Sequence, residues 1–302
     1  MNISEKILQL KKERKAVILA HNYQIPQVQD IADYVGDSLG LSIEAARTDA
    51  EVIVFCGVHF MAETAKILSP QKTVLIPDLH AGCPMADMIT APQLRELKSQ
   101  HPGAKVLCYV NTSAEVKAEC DLCCTSANAV KMVREALKDS PEIIFVPDQY
   151  LAAYVESQTG RTMIKWKGYC PTHAKILPQH IEEQKALHPE AVVIVHPECT
   201  PEVIRMADKV ASTEGMTRFV KETKAREIIV ATERGIIHRI QKENPDKVFW
   251  PVSKLAICPN MKMINLEKVL WSLEDMQYVI DVPEAVAVKA KACIQRMLDF
   301  SS

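Results

Sequence analysis

Three Cys-Pro pairs stand at nearly equal intervals along this 302-residue chain. They place Cys83, Cys170 and Cys258 in the stretches "AGCPMAD", "GYCPTH" and "AICPNMK", which are 87 and then 88 residues apart. Thiolates are strong ligands for soft metal ions and for iron–sulfur clusters. Packing does not require the same dipeptide three times where the surrounding sequence differs, so the spacing predicts that the three thiols meet at one metal centre.

No fourth cysteine shares this period, so one coordination position would be left for a non-protein ligand. Iron–sulfur clusters are normally held by four thiolates, and zinc sites with a free position are the catalytic ones. An open position therefore indicates chemistry. Two other interpretations stay open from the residues alone. One is a zinc enzyme with His173 or water as the fourth ligand, and the other is a non-catalytic ring scaffold whose cysteines only pack.

Two further sets of polar residues follow the same period. Each apolar run that opens a unit ends on a ring-bearing residue: His21, Tyr109 or His196. A hydroxyl follows 17 positions later in each case, at Ser38, Ser126 and Thr213. We expect these hydroxyls to be helix N-caps, and helix N-termini present free N–H groups to anions. Three such ends directed at one centre would bind a ligand with several negative charges.

Three titratable residues lie beside these landmarks in the sequence. His173 is three residues after Cys170, Glu198 is two after His196, and Tyr23 is two after His21. A catalytic acid or base must be within hydrogen-bond reach of the reacting atoms. Closeness to the predicted metal makes these three the candidates for proton transfer.

The elements that position these residues are indicated by apolar runs of four to eight residues, three to a unit, alternating with helical patterns. This alternation is typical of parallel strands joined by helices. We predict an α/β fold of three homologous three-layer (αβα) domains with small parallel sheets around a pseudo-threefold axis. The units span 1–84, 85–172 and 173–276, and a strand and helix in 277–302 complete the first. Ligands of such sheets bind beyond the carboxyl ends of the strands, where the marked residues lie.

The composition excludes several classes of partner. The formal net charge is −2 and the basic residues are scattered, so neither nucleic acid nor a membrane surface is an expected partner. The N-terminal sequence lacks the order of regions of a signal peptide, and no apolar stretch is long enough to span a bilayer. We expect a cytoplasmic protein whose ten cysteines are reduced thiols, metal ligands or buried apolar residues.

The remaining cysteines lack partners at the repeat period. Cys120 and Cys123 form a C-x-x-C pair, a familiar redox or zinc spacing, but no second pair or neighbouring histidine completes a site. We interpret that pair as structural. Cys199, which follows Glu198, and His59 are weaker candidates for the border of the predicted pocket.

Nearly end to end, the chain resembles the quinolinate synthase family, the A protein of de novo NAD biosynthesis. The resemblance is carried by the three Cys-Pro sites and by the stretches "LAHNYQ", "GDSLGLS", "GVHFMAETAKIL", "YVNTSAEVKA", "TSANAV", "IVHPEC" and "ASTEGM". It implies a [4Fe-4S] cluster held by Cys83, Cys170 and Cys258. It also implies the condensation of iminoaspartate with dihydroxyacetone phosphate to quinolinate, with loss of phosphate and two waters. The iron without a thiolate would act as a Lewis acid.

The resemblance also implies roles for the other marked residues. Proton transfer would fall to Tyr23, His173 and Glu198. Binding of the carboxylates and the phosphate would fall to His21, Ser38, Tyr109, Asn111, Ser126, His196 and Thr213, with Met61 lining the pocket. An L-aspartate oxidase or dehydrogenase would supply the iminoaspartate. The alternative is another [4Fe-4S] hydro-lyase that acts on a different small anionic hydroxy acid, which a substrate assay would separate.

Overall fold

The computed structural model describes residues 2–300, and three similar groups of helices and strands follow one another along them. The first group comprises α1 (Ile3–Glu13), β1 (Ala16–His21), α2 (Pro26–Ile31), β2 (Tyr34–Gly36), α3 (Ser38–Arg47), β3 (Val52–Cys56), α4 (His59–Leu68) and β4 (Thr73–Leu75). The second comprises α5 (Ala91–Gln100), β5 (Lys105–Tyr109), α6 (Ala114–Lys117), β6 (Leu122–Cys124), α7 (Ala129–Lys131), β7 (Ile143–Val146), α8 (Gln149–Thr159) and β8 (Ile164–Lys165).

The third group repeats the pattern and leads into two C-terminal helices. After the short α9 (Pro171–Ala174) it comprises α10 (Pro178–Leu187), β9 (Val192–Val195), α11 (Pro201–Ile204), β10 (Lys209–Val210), α12 (Thr213–Glu222), β11 (Glu227–Ala231), α13 (Ile236–Glu243) and β12 (Val248–Pro251). The chain then forms α14 (Leu266–Asp275) and α15 (Glu284–Asp299). Short 3-10 turns at Ala86–Met88 and Met261–Met263 follow the first and third groups, and α7 continues into a π-helical turn at Met132–Ala136.

All three sheets have the same topology. Their strand orders are β2-β1-β3-β4, β6-β5-β7-β8 and β10-β9-β11-β12, and every pair of neighbours within them is parallel. The middle strands are buried on both faces, as β3 is at all five positions, because helices cover both sides of a parallel sheet. The predicted fold class is confirmed: α/β, with three small parallel sheets. The domain boundaries inferred from the sequence stay a prediction.

Each sheet has one more strand than the sequence indicated. The additional edge strands β2, β6 and β10 are only two or three residues long, which is too short for an apolar run to mark them. An aspartate precedes each of them and hydrogen-bonds to the neighbouring strand. Its carboxylate accepts the N–H of Ile18, Val106 or Val193 at 2.8, 2.9 and 2.8 Å, and its own N–H donates to that residue's carbonyl.

These aspartates are Asp33, Asp121 and Asp208, and they repeat the 88- and 87-residue intervals. The sequence therefore carried a signal for the edge strands, in polar rather than apolar residues.

The C-terminal segment differs from the predicted strand and helix. Val279 forms a single antiparallel bridge with Leu75 at the edge of the first sheet, flanked by a hydrogen bond of 2.8 Å from Ile280 N–H to the Val74 carbonyl. The helix α15 packs against α6 and β6 of the second group and against α4 of the first. The segment thus joins two groups that are distant in sequence. Within residues 2–300, no helix combines the length and apolar character needed to cross a bilayer.

Candidate active site

The residues marked by their spacing come together around one cavity, here called the central cavity. It has a volume of about 140 Å³ and lies where the carboxyl ends of the three sheets face one another. All fourteen predicted site residues line it: His21, Tyr23, Ser38, Met61, Cys83, Tyr109, Asn111, Ser126, Cys170, His173, His196, Glu198, Thr213 and Cys258. Their roles stay predictions. The two weaker candidates lie elsewhere, since His59 faces Glu63 at 3.7 Å and Cys199 is buried in a separate small core.

The Cys-Pro pairs have a local structural reason. Cys170 is the N-cap of α9 and Pro171 is the first helical residue, where the missing N–H costs nothing. The other two cysteines also precede short helical turns. Backbone N–H groups two or three residues later hydrogen-bond to each sulfur: those of Met85 and Ala86 to Cys83, of His173 to Cys170, and of Asn260 and Met261 to Cys258. Such N–H groups favour the thiolate form that a metal needs.

Without a cation beside the thiols, burial raises their pKa by more than these hydrogen bonds lower it. It raises the pKa of Cys83 to about 12, raises that of Cys170 well above its usual value and raises that of Cys258. Facing one another, the sulfurs also raise each other's pKa, as Cys83 does for Cys170. Three buried thiols at one cavity therefore stay protonated at neutral pH unless a positively charged group binds them. This donor set fits a metal centre.

The separation of the sulfurs indicates the size of that centre. Within residues 2–300, two groups of three potential metal ligands have all their donor atoms within 4.8 Å of one another. The three Cys-Pro thiols do not form such a group. Two ligands on one zinc ion lie at most about 4.6 Å apart, because a Zn–S bond is about 2.3 Å long. At least one pair of the three Cys-Pro sulfurs is therefore more than 4.8 Å apart, which is wider than two ligands of one zinc ion. Cys170 does lie within 4.8 Å of His173 and Glu198.

Two histidines present neutral donors to the cavity. Burial lowers the pKa of His21 and of His196 to about 3, so both rings are uncharged at neutral pH. Each Nδ1 accepts a backbone N–H from two residues ahead, that of Tyr23 at 3.2 Å and that of Glu198 at 3.3 Å. In a neutral ring the other nitrogen then carries the proton. Both histidines therefore offer an Nε2–H donor, which suits a carboxylate or phosphate oxygen.

A continuous chain of hydrogen bonds joins the three predicted proton-transfer residues. Glu198 accepts from the Tyr109 hydroxyl through Oε1 and lies 2.8 Å from His173 Nδ1 through Oε2. His173 Nε2 is 2.8 Å from the Thr232 hydroxyl, which is 2.5 Å from the Tyr23 hydroxyl. Protons can therefore move between the two ends of the chain without entering bulk water.

The ends of this chain differ in charge. Burial alone would raise the pKa of Glu198, but attraction to His173 and hydrogen bonds from His173 and Tyr109 lower it well below its usual range. Glu198 is therefore a carboxylate. Burial and the nearby charge of Glu198 raise the pKa of Tyr23 and of Tyr109 well above its usual value, so both stay protonated. The arrangement places a proton acceptor and proton donors on one wall of the cavity.

The hydroxyls are not the N-caps we expected. Ser38 and Thr213 are the first residues of α3 and α12, whose N-caps are Asp37 and Ser212. Ser126 lies in the turn before α7, whose N-cap is Asn128. The prediction was wrong by one or two residues because an aspartate or serine immediately before a helix competes as N-cap. All three hydroxyls still face the cavity at the starts of these segments.

Two acidic side chains that the sequence analysis missed lie beside the cysteine loops. Glu233 is fully buried, lines the cavity, accepts the Cys258 N–H at 3.3 Å and pairs with Lys262 at 2.9 Å. Asp148 takes the equivalent place after β7. It caps α8 through Oδ1, its Oδ2 is buried without a hydrogen-bond partner, and the Cys170 N–H acts on its pKa. They are 85 residues apart, so the period of the cysteines did not reveal them.

An α/β fold whose three sheets direct thiols, histidines and a carboxylate into one buried cavity is typical of an enzyme whose site can hold a metal centre. A family model described as quinolinate synthetase A protein matches residues 5–299. A quinolinate synthase of Dehalococcoides mccartyi is 60% identical over 296 residues, which cover 98% of this chain and 97% of that relative. Quinolinate synthase 1 of Methanosarcina acetivorans is 55% identical over 297 residues, and that of Thermodesulfovibrio yellowstonii is 54% identical over 299, with coverage of at least 97% on both sides. The chain belongs to the quinolinate synthase family, which confirms the resemblance.

Proposed function

We propose that this enzyme condenses iminoaspartate with dihydroxyacetone phosphate to quinolinate, releasing phosphate and two waters. The single observation that supports it most is the meeting of the spaced thiols, the neutral histidines and the Glu198 chain at one cavity. The reaction balances in atoms and electrons without an oxidant or reductant. It therefore needs acid–base groups and a Lewis acid, which are what this donor set can supply.

The cofactor in this proposal is a [4Fe-4S] cluster held by Cys83, Cys170 and Cys258. When bound, it would supply an iron without a protein ligand as a Lewis acid for a substrate oxygen or nitrogen. Glu233 would fix the loop that carries Cys258, since its carboxylate accepts the backbone N–H of that cysteine, and Asp148 lies beside the loop that carries Cys170.

The substrates carry two carboxylates and one phosphate between them, and the cavity offers donors for each. The Nε2–H groups of His21 and His196 would bind carboxylate oxygens. The starts of α3 and α12, with Ser38 and Thr213, would bind a further anion through free N–H groups and the helix dipole. Asn111 Oδ1 is buried and has no partner, so it is available to accept from a substrate N–H or O–H.

Loss of phosphate and of each water requires a proton to leave carbon or nitrogen and another to reach the departing oxygen. In this proposal the Glu198 carboxylate accepts protons and the Tyr23 hydroxyl donates them. His173 and Thr232 relay protons from Glu198 back to Tyr23 along the hydrogen bonds described above. Because the chain is buried, these protons stay within the site through successive steps.

The proposal places the enzyme in NAD biosynthesis in the cytoplasm. An L-aspartate oxidase or dehydrogenase would have to supply iminoaspartate, which hydrolyses in water. Neither nucleic acid nor a membrane is part of the proposal.

The test is an oxygen-free assay of the iron-loaded protein with both substrates, in which quinolinate and free phosphate are measured separately. We expect both products from the unaltered enzyme and neither from Cys170→Ser, whose iron content should fall. Cys56→Ser is the matched control, since Cys56 is buried in β3 away from the cavity. Iron-loaded protein that forms no quinolinate from these substrates would contradict the proposal.

A further inference from the structure

Four cysteines that the central cavity does not use come together in the second group of elements. Cys108 on β5, Cys123 on β6 and Cys293 on α15 are fully buried. Their sulfurs are 3.3 Å apart for Cys108 and Cys123, 3.2 Å for Cys123 and Cys293, and 3.9 Å for Cys108 and Cys293. Cys120 lies beside them and acts on the thiol of Cys108. We call these four residues the thiol cluster.

The spacing of these sulfurs suits one metal ion. Two thiolates on a tetrahedral zinc ion with bonds of about 2.3 Å are about 3.8 Å apart. The Cys108–Cys293 separation of 3.9 Å matches that value and the other two, 3.3 and 3.2 Å, are shorter, whereas the thiols at the central cavity are more widely spaced. The two sets of cysteines are therefore suited to different metal centres.

A fourth ligand is available from the C-x-x-C pair. Cys120 and Cys123 have the spacing with which many zinc sites begin, and the structure supplies the second pair that the sequence did not show. That pair is Cys108 and Cys293, which are 185 residues apart. The Cys120 thiol donates to the Val116 carbonyl at 3.0 Å and is not within 4.8 Å of all three other sulfurs, so binding the ion requires this side chain to leave that hydrogen bond.

A buried lysine lies beside the thiol cluster. Lys117 is fully buried, and its ammonium group donates to the Thr112 carbonyl. Lys117 lies close enough to act electrostatically on Cys108 and Cys123. A zinc ion with four thiolates has a net charge of about −2, which a buried lysine partly offsets.

We propose that Cys108, Cys120, Cys123 and Cys293 bind a zinc ion that fastens the C-terminal helix α15 to the second sheet. The ion replaces the thiol protons, so four protons are released and no electron is transferred. Its role is structural, because four protein ligands leave no position for a substrate. The site also explains why α15 crosses from its own end of the chain onto α6 and β6.

The test measures iron and zinc separately in protein loaded without oxygen. We expect about one zinc ion per chain in addition to iron. Cys123→Ser should lose the zinc and keep the iron, while Cys170→Ser should lose iron and keep the zinc. Cys56→Ser, a buried cysteine outside both sets, should change neither. Zinc retained in Cys123→Ser, or no zinc in folded protein after growth with added zinc, overturns the proposal.

If Cys123→Ser fails to fold, alkylation of the unaltered protein tests the same proposal. In the unaltered protein, a zinc chelator should make all four cluster cysteines reactive toward iodoacetamide together, as peptide mass spectrometry would show, while Cys56 stays protected. A disulfide between Cys123 and Cys293 in protein kept free of oxygen would overturn the zinc site. None of these results depends on whether quinolinate is formed.

Discussion

The buried pair of Glu233 and Lys262 gives the sharpest prediction about how the cysteine loops are held. Glu233 has no exposed side-chain surface, and Lys262 is 22% exposed. Besides pairing with Lys262, the carboxylate accepts the N–H groups of Gly235 at 2.7 Å and Cys258 at 3.3 Å. Glu233→Gln keeps the shape and one oxygen acceptor but removes the charge. Lys262 then keeps only its hydrogen bond to the Tyr23 carbonyl.

The expected cost follows from the charge left behind. Removing one partner of a fully buried pair costs about 3–5 kcal/mol, and a hydrogen bond to a charged group is worth about 1.5–3 kcal/mol. Because Lys262 reaches some solvent, we expect Glu233→Gln to lower the free energy of unfolding by about 2 kcal/mol. Removing both charges in Glu233→Gln/Lys262→Met should recover part of that loss, since no buried charge is then unpaired.

Urea denaturation of the metal-free protein measures these changes in the free energy of unfolding. The iron content after loading shows whether the loop that carries Cys258 still binds the metal. We expect the double variant to regain stability but not iron content, because the Cys258 N–H still faces an uncharged acceptor. The matched control is Glu51→Gln, which breaks the exposed pair with Lys15 and should change neither quantity. A Glu233→Gln protein as stable as the unaltered one, with full iron content, would refute this account of the loop.

Three further predictions concern the hydrogen-bond chain, the histidines and the edge strands. Glu198→Gln should lower the rate of quinolinate formation by about 10²–10⁴-fold with iron content unchanged, because a buried base is lost while its shape remains; a loss of iron instead would make Glu198 a structural residue. Because burial lowers the pKa of His21 to about 3 in the folded protein, while an unfolded histidine titrates near 6.5, its contribution to stability is lost as pH falls from about 6.5 toward 3. His21→Asn should flatten the pH dependence of urea unfolding in that window by up to about 1.4 kcal/mol per pH unit, and an unchanged slope would mean that His21 is not neutral. Asp208→Ala should cost about 1–2 kcal/mol in urea unfolding and Asp208→Asn less, since the asparagine keeps an acceptor for the Val193 N–H; equal costs would show that this hydrogen bond does not hold the edge strand.

The repeat period made the fold and most of the cavity predictable. A residue at the end of the first strand of each unit must reach the same side of the sheet, so period and topology together bring His21, Tyr109 and His196 to one place. The same reasoning located the three Cys-Pro thiols. It could not give the separation of the sulfurs, which depends on how the three sheets pack.

The features that the sequence analysis missed have physical causes. Glu233 and Asp148 fell outside the period because the connections after the middle strands differ in length between units. Threonine is a common residue type, and only the hydrogen bonds of Thr232 to the Tyr23 hydroxyl and the His173 imidazole mark it as part of the site. The thiol cluster depends on Cys293, which lies after the last repeat and reaches β5 and β6 only through the packing of α15. No local pattern contains such contacts.

The backbone frame that the three units share also suggests how one cavity could treat the two proposed substrates differently. Two residues after His21, Tyr109 and His196, the equivalent backbone position carries Tyr23, Asn111 or Glu198. The frame is shared closely enough that the N–H of Tyr23 and that of Glu198 make the same hydrogen bond to a histidine Nδ1. The side chains nevertheless differ, and they supply a proton donor, an amide and a carboxylate. A site with true threefold symmetry would present one chemistry three times, so the asymmetric proton transfer of the proposed function would come from divergence at these positions, while Cys83, Cys170 and Cys258 are alike in all three units.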